Sequence, residues 1–222
     1  MDSEFRFFDS RQKYLLFITT TNEKYAVSRR VENLINNIKP KMPALKIFDA
    51  GLGDGTLLMN VLRNCHREFP TIPFLVVGKE ISMEDVRLTI EKLPDRFVEH
   101  PNMVFVVSNL NYKEVRNLKS NNLKKQKKIN WETVRLNGNS SFEFSLQLDS
   151  IENKLKKNWQ VEKSSTGNPT YKDPSVLIIY RNDYEFSLEN IIPKNNGNEL
   201  YFDLILASQP YRSRISEKQK VN

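Results

Sequence analysis

Three of the chain's seven glycines fall within five residues, inside the run Asp49-Ala50-Gly51-Leu52-Gly53-Asp54-Gly55. The apolar stretch before it, from Leu45, reads as a strand. Thr56 to about Arg67, with Leu57, Leu58, Val61 and Leu62, reads as a helix. Glycines between a strand and a helix permit a tight turn and let the backbone approach a ligand closely, while the helix start adds unpaired N–H groups. A plain tight turn is the bland alternative. Other polar candidates stand at the ends of further apolar runs. Glu80 follows Pro73–Gly78, Asn109 follows Met103–Val107, and Ser208-Gln209-Pro210-Tyr211 follows Leu200–Ala207.

The glycine spacing narrows the ligand. A dinucleotide fingerprint places two residues between its last two glycines, and Gly53-Asp54-Gly55 has one. With the apolar strand and Asp49 before it, the loop resembles motif I of the class I S-adenosylmethionine-dependent methyltransferases. That resemblance implies a cofactor site in which Gly51, Leu52, Gly53 and Gly55 embrace the methionine part and Asp49 orients its amino end. It also implies that Glu80 accepts the two ribose hydroxyls, a task suited to a carboxylate's two acceptor oxygens, and that Ile81 lies against the adenine. Asn109 stands where the family places a polar residue near the adenine amino group. A surface glutamate and an Asx turn are the plain readings of Glu80 and Asn109. Ser208, Gln209, Pro210 and Tyr211 loosely resemble motif IV, the catalytic motif of methyltransferases acting on amino nitrogens. Here Gln209 replaces the first proline of that motif. The resemblance covers roughly residues 23–110 and 199–211. The family continues with further strands after the fourth, so the chain resembles a truncated member.

These residues need a frame. Glu23 to Ile38 carries apolar residues at spacings of three and four, predicting a helix that Asn22 or a preceding threonine caps and Pro40 stops. Ser82 is a second N-cap candidate, for a helix through Ile90 to Leu93. The order helix, β, α, β, α, β predicts an α/β fold, a doubly wound, mostly parallel sheet of Rossmann-like type. Residues 1–110 supply an N-terminal helical segment and the first half of the cofactor-binding domain. Residues 111–198 form a Lys/Asn-rich insertion, partly structured, between the third and fourth core strands. Residues 199–222 supply the fourth strand and motif IV. Within the insertion, Phe142, Phe144, Leu146 and Leu148 alternate with polar residues in a strand period, and a helix is the competing reading. Ser175–Tyr180 is a clearer strand.

Composition bounds the rest. Hydrophobic residues at 39% and charged residues at 27% are those of a soluble globular protein. One cysteine, Cys65, cannot form an internal disulfide, and neither a signal peptide nor a membrane-length apolar run is evident, so a cytoplasmic setting is expected. Cys65-His66 lacks a second ligand pair, so no metal site is expected. His100 reads as an ordinary loop residue. Lys113 to Lys128 holds seven basic residues against one acidic, Glu114, and so carries nearly all of the formal charge of +7. A solvated, mobile insertion explains such a run, and contact with nucleic-acid phosphates is the functional alternative. The expected activity is S-adenosylmethionine-dependent methyl transfer to an unnamed acceptor. The alternatives are a nucleic-acid amino-nitrogen methyltransferase and a non-catalytic Rossmann-type binding module.

Overall fold

A computed structural model describes residues 16, 20–120, 122–163, 169–195, 197 and 199–208. Helix α1, Glu23–Ile35, buries Ile35 and packs Val27 and Val31 against the core. It stops three residues short of the expected Ile38, in a turn where Ile38 N–H meets Ile35 C=O. Asn22 is its N-cap residue, without a side-chain cap bond. Strand β1 (Leu45–Asp49) leads through the glycine loop into α2 (Thr56–Glu68), and β2 (Phe74–Lys79) follows. Ser82 caps α3 (Met83–Ile90), accepting the Asp85 N–H at 3.3 Å. The predicted continuation to Leu93 instead breaks at Glu91 and Lys92. A separate α4 (Leu93–Glu99) opens there, because Pro94 fits only a helix's first turn. Strand β3 (Met103–Ser108) pairs in parallel with β2.

The segment after β3 is more ordered than its composition predicts. It forms α5 (Tyr112–Val115), α6 (Leu123–Gln126), β4 (Asn130–Leu136), α7 (Ser141–Asp149), α8 (Glu152–Asn158), a small hairpin of β5 (Val161–Lys163) and β6 (Pro169–Tyr171), β7 (Ser175–Arg181) and α9 (Glu185–Leu188). The strand-like alternation from Phe142 to Leu148 is a helix. Ser140 and Glu143 form a reciprocal capping box at its start, and the helical period splits the four apolar residues. Phe144 and Leu148 are buried, whereas Phe142 and Leu146 face solvent. The last strand, β8, covers only Leu204–Leu206 of the predicted Leu200–Ala207 run. Among the described residues β8 pairs on one side alone, with β1, and Tyr201 and Ile205 are exposed.

The six-stranded sheet has the order β4-β7-β3-β2-β1-β8. Strands β1, β2, β3 and β8 are mutually parallel, β7 runs antiparallel to β3, and β4 runs parallel to β7. The β3-β2-β1-β8 part is the strand arrangement of a Rossmann-like sheet, and its order reverses between β1 and β8. Side chains alternate between two apolar layers. Ile47, Val76 and Phe105 enter one, and Phe48, Val77 and Val106 enter the other. Cover on both faces explains why these strands read as unbroken apolar runs. Helices α1–α4, α7 and α8 fill the first layer, while the second is closed mainly by shorter pieces carrying Val115, Leu118, Leu188 and Ile191.

Candidate functional site

Asp49, the glycine loop, Glu80, Asn109 and Ser208 lie at the carboxyl end of the parallel set. In open α/β sheets this is where ligands bind, at the point where strand order reverses. Gly53 (φ 54°) and Gly55 (φ 76°) adopt left-handed conformations that only glycine enters without strain. Gly55 also has no room for a side chain, since a Cβ there would sit 2.6 Å from Thr89 Oγ1. Leu52 turns inward over Gly78, and its N–H donates to Lys79 C=O at 3.0 Å. The loop is thereby laid on the end of β2.

Glu80 is the clasp between them. Its buried carboxylate accepts Gly53 N–H at 2.8 Å on Oε2, and Ile81 N–H at 2.8 Å and Ser82 N–H at 2.9 Å on Oε1. Three of roughly four acceptor positions are therefore taken, and one on Oε2 remains. Burial raises its pKa, with the three amides opposing. Thr89 Oγ1 donates to Gly53 C=O at 3.1 Å, closing the loop from α3. Trp159, which caps α8, donates its indole N–H to Glu80 C=O at 3.0 Å.

Asp49 is buried and accepts Gly51 N–H on Oδ1 at 3.0 Å. No other hydrogen bond to its carboxylate is found among the described residues. Burial pushes its pKa up to about 6, against the pull of the Gly51 amide and the charge of Lys24. Asp54 behaves in the opposite way. Burial opposes its charge, but Lys24 Nζ at 2.6 Å, Thr56 Oγ1 at 2.5 Å and Lys92 Nζ at 3.0 Å outweigh that and hold the carboxyl below the usual range. Lys24 thus reaches the loop from the start of α1, while Tyr25 beside it is exposed. Lys92, Thr89 and Trp159 carry no motif that spacing could reveal. Distant elements bring them to the loop.

Asn109, at the end of β3, spends its side chain within the protein. Oδ1 accepts Ser175 N–H at 2.8 Å, and Nδ2 donates to Asp173 C=O at 3.0 Å and Asn158 C=O at 3.4 Å. It ties the start of β7 to the end of β3. Ile81 is half-buried beside Glu80. Ser208 lies two residues beyond β8, and Gln209, Pro210 and Tyr211 lie outside the described residues.

His100 is no ordinary loop residue. It is buried, stacks on Phe74 with ring centroids 3.6 Å apart, and its Nδ1 lies 2.9 Å from His66 Nδ1. Burial pulls its pKa down to about 4, so it is neutral at pH 7. Its Nε2 faces Ile72 C=O at 3.0 Å, which makes Nε2 the protonated nitrogen and leaves Nδ1 to accept from His66. Among the described residues no group of three or more His, Cys, Asp or Glu is placed to hold a metal ion. No helix among them is long and apolar enough to cross a membrane.

A cavity of about 400 Å³ opens at the opposite end of the sheet, lined in part by Ile38, Lys41, Lys46 and Phe202. It lies beside the start of β1, far along the strand from the glycine loop, so the two are separate features. Together the fold and the loop define an α/β protein with a mostly parallel, Rossmann-like sheet and a glycine turn at its switch point. No protein-family model matches the chain, and no curated protein matches it in sequence.

Proposed function

We propose that the glycine loop binds S-adenosylmethionine and that the protein is a methyltransferase. The observation that carries this reading is the junction of the loop with Glu80, Gly53 N–H to Oε2 at 2.8 Å, at the carboxyl ends of β1 and β2. The residues present suit the cofactor's chemistry. Asp49 offers a buried carboxylate to the cofactor's ammonium group, the Gly51–Gly55 backbone lies close by, and the remaining acceptor position on Glu80 suits a ribose hydroxyl. The cofactor supplies the electrophilic methyl group. The chain's residues orient it and exclude water, a role of positioning. Ser208 and the three residues after it are the proposed contacts to the acceptor.

Isothermal titration with S-adenosylmethionine and S-adenosylhomocysteine tests the reading. Binding of both is expected, with Gly53→Arg abolishing it. Absence of binding by the folded chain overturns it. One observation favours a second reading, a cofactor-free α/β binding module: Gly53 N–H, Gly53 C=O and the Asp54 carboxylate are all satisfied within the protein. That reading predicts a null titration and an unchanged melting temperature in the presence of either ligand.

A further inference from the structure

The basic run acquires a different meaning once folded. Its single acid, Glu114, turns inward, where its carboxylate accepts Ser120 O–H at 2.5 Å and Tyr171 O–H at 3.2 Å. It therefore does not neutralise the surface. Of the seven cations between Lys113 and Lys128, Arg116 pairs with Glu199, and Lys125 lies over the Tyr171 ring at 5.3 Å. The other five have no carboxylate within ion-pair distance among the described residues. Several cations elsewhere are paired, as Lys154 is with Glu132, Arg135 with Glu185 and Arg181 with Asp183.

Register places this charge at the same end of the sheet as the candidate site. Helix α5 follows the carboxyl end of β3. Helix α6 leads into Asn130, which pairs with Ser175 beside Val176, the partner of Ser108. Both short helices therefore lie at the sheet end that carries the glycine loop and Glu80. Lys79, the residue before Glu80, sets its ammonium 4.7 Å from the ring centroid of Tyr112, which is itself half exposed and adjacent to Lys113. Cations beside an accessible aromatic ring are what a nucleic-acid strand needs. The ammonium groups meet phosphates and the ring offers a face to a base.

From this we infer that the surface of residues 112–128 binds nucleic acid and presents it to the candidate site. As a substrate class the inference rests on the methyl-transfer reading; as a binding surface it does not. A lipid surface fits less well. Leu123 is the one fully exposed large aliphatic residue in the run, on a four-residue helix too short for an amphipathic interfacial face.

Fluorescence anisotropy with short labelled single-stranded RNA, single-stranded DNA and duplex DNA tests it, alongside co-sedimentation with phosphatidylcholine–phosphatidylserine vesicles. Binding to at least one oligonucleotide is expected, weakening at least ~10-fold between about 50 and 200 mM salt. Replacing Lys124, Lys125, Lys127 and Lys128 by Gln, all on the exposed surface, should weaken binding at least ~10-fold and flatten the log–log salt slope by about 3. Lys39→Gln with Lys41→Gln, at the opposite end of the sheet, should leave both unchanged. No oligonucleotide binding, binding to vesicles alone, or equal losses in the two variant sets overturns the inference. Titration with S-adenosylhomocysteine in parallel separates the two proposals. Cofactor binding without oligonucleotide binding sinks this one alone, and the converse sinks the methyltransferase reading and leaves the surface standing.

Discussion

Asp49 and His100 are buried groups whose pKa values move in opposite directions, and their effects on stability oppose one another. Asp49 rises from 3.8 to about 6, so its contribution is present below pH 3.8 and lost as pH climbs through about 6. His100 falls from 6.5 to about 4, so its contribution is present above pH 6.5 and lost as pH drops through about 4. Across that window the two slopes oppose one another, and the raised pKa of buried Glu80 acts in the same sense as Asp49. Asp49→Asn, which keeps an acceptor for Gly51, should uncover the histidine. Its unfolding free energy from urea denaturation is expected to fall on acidification from about pH 6.5 to 4, by at most on the order of 2–3 kcal/mol, since the raised pKa of buried Glu80 acts in the opposite sense. An unchanged pH profile would show that Asp49 does not titrate there. On the proposed cofactor reading, the same carboxylate meets a cationic amine, so S-adenosylmethionine affinity should weaken as pH falls below about 6. Gly55→Ala should cost about 1–3 kcal/mol, since it combines positive φ with a 2.6 Å approach to Thr89 Oγ1. Adding Thr89→Ala should recover only the steric part in a denaturation cycle.

Elements between β3 and β8 hold the site as well as extending the sheet. Helix α7 is started by the Ser140–Glu143 box, and Gly138 (φ 102°) lies so close that a Cβ there would come within 2.7 Å of the Glu143 carboxyl. Ser140→Ala should therefore lower stability by about 1 kcal/mol. Gly138→Ala should cost at least as much, because it disturbs the same box and also strains its own backbone. Chemical denaturation of the pair compares them directly. Trp159→Phe keeps most of the apolar volume but removes the donor to Glu80 C=O. A loss of about 1 kcal/mol is expected, and no loss would mean that packing alone seats α8 on the β2 turn.

For the whole molecule, the edges of the sheet differ in character. Strand β4 is long, and Lys154 and Glu132 pair above it, whereas β8 is three residues long with Ile205 exposed. An exposed apolar residue on a strand that, among the described residues, pairs on one side alone invites edge-to-edge association. Ile205→Lys should leave stability within about 0.5 kcal/mol and reduce any concentration-dependent self-association seen by light scattering. Increased aggregation of the variant would argue against a free edge.

What could be read from the chain alone was governed by local periodicity and backbone chemistry. The runs Leu45–Asp49, Phe74–Gly78 and Met103–Val107 marked buried strands, because strands covered on both faces leave no polar alternation. Gly51, Gly53 and Gly55 marked the turn; left-handed φ selects glycine at Gly53 and Gly55, and the close approach of Thr89 selects it again at Gly55. The mostly parallel α/β fold followed from their order. Tertiary structure decided the rest. The stretch from Phe142 to Leu148 alternates in a strand period, and the capping box together with burial of Phe144 and Leu148 made it a helix. Glu80 reads as one acid after a strand, yet it becomes the loop's clasp only when β1 and β2 lie side by side. Lys92, Thr89 and Trp159 join the site from separate elements, and no sequence spacing encodes that meeting. The basic run was visible as charge, but only folding turned Glu114 inward and carried its lysines to the end of the sheet where the glycine loop lies. Charge and period are local properties of a chain. Burial and convergence depend on which segments become neighbours.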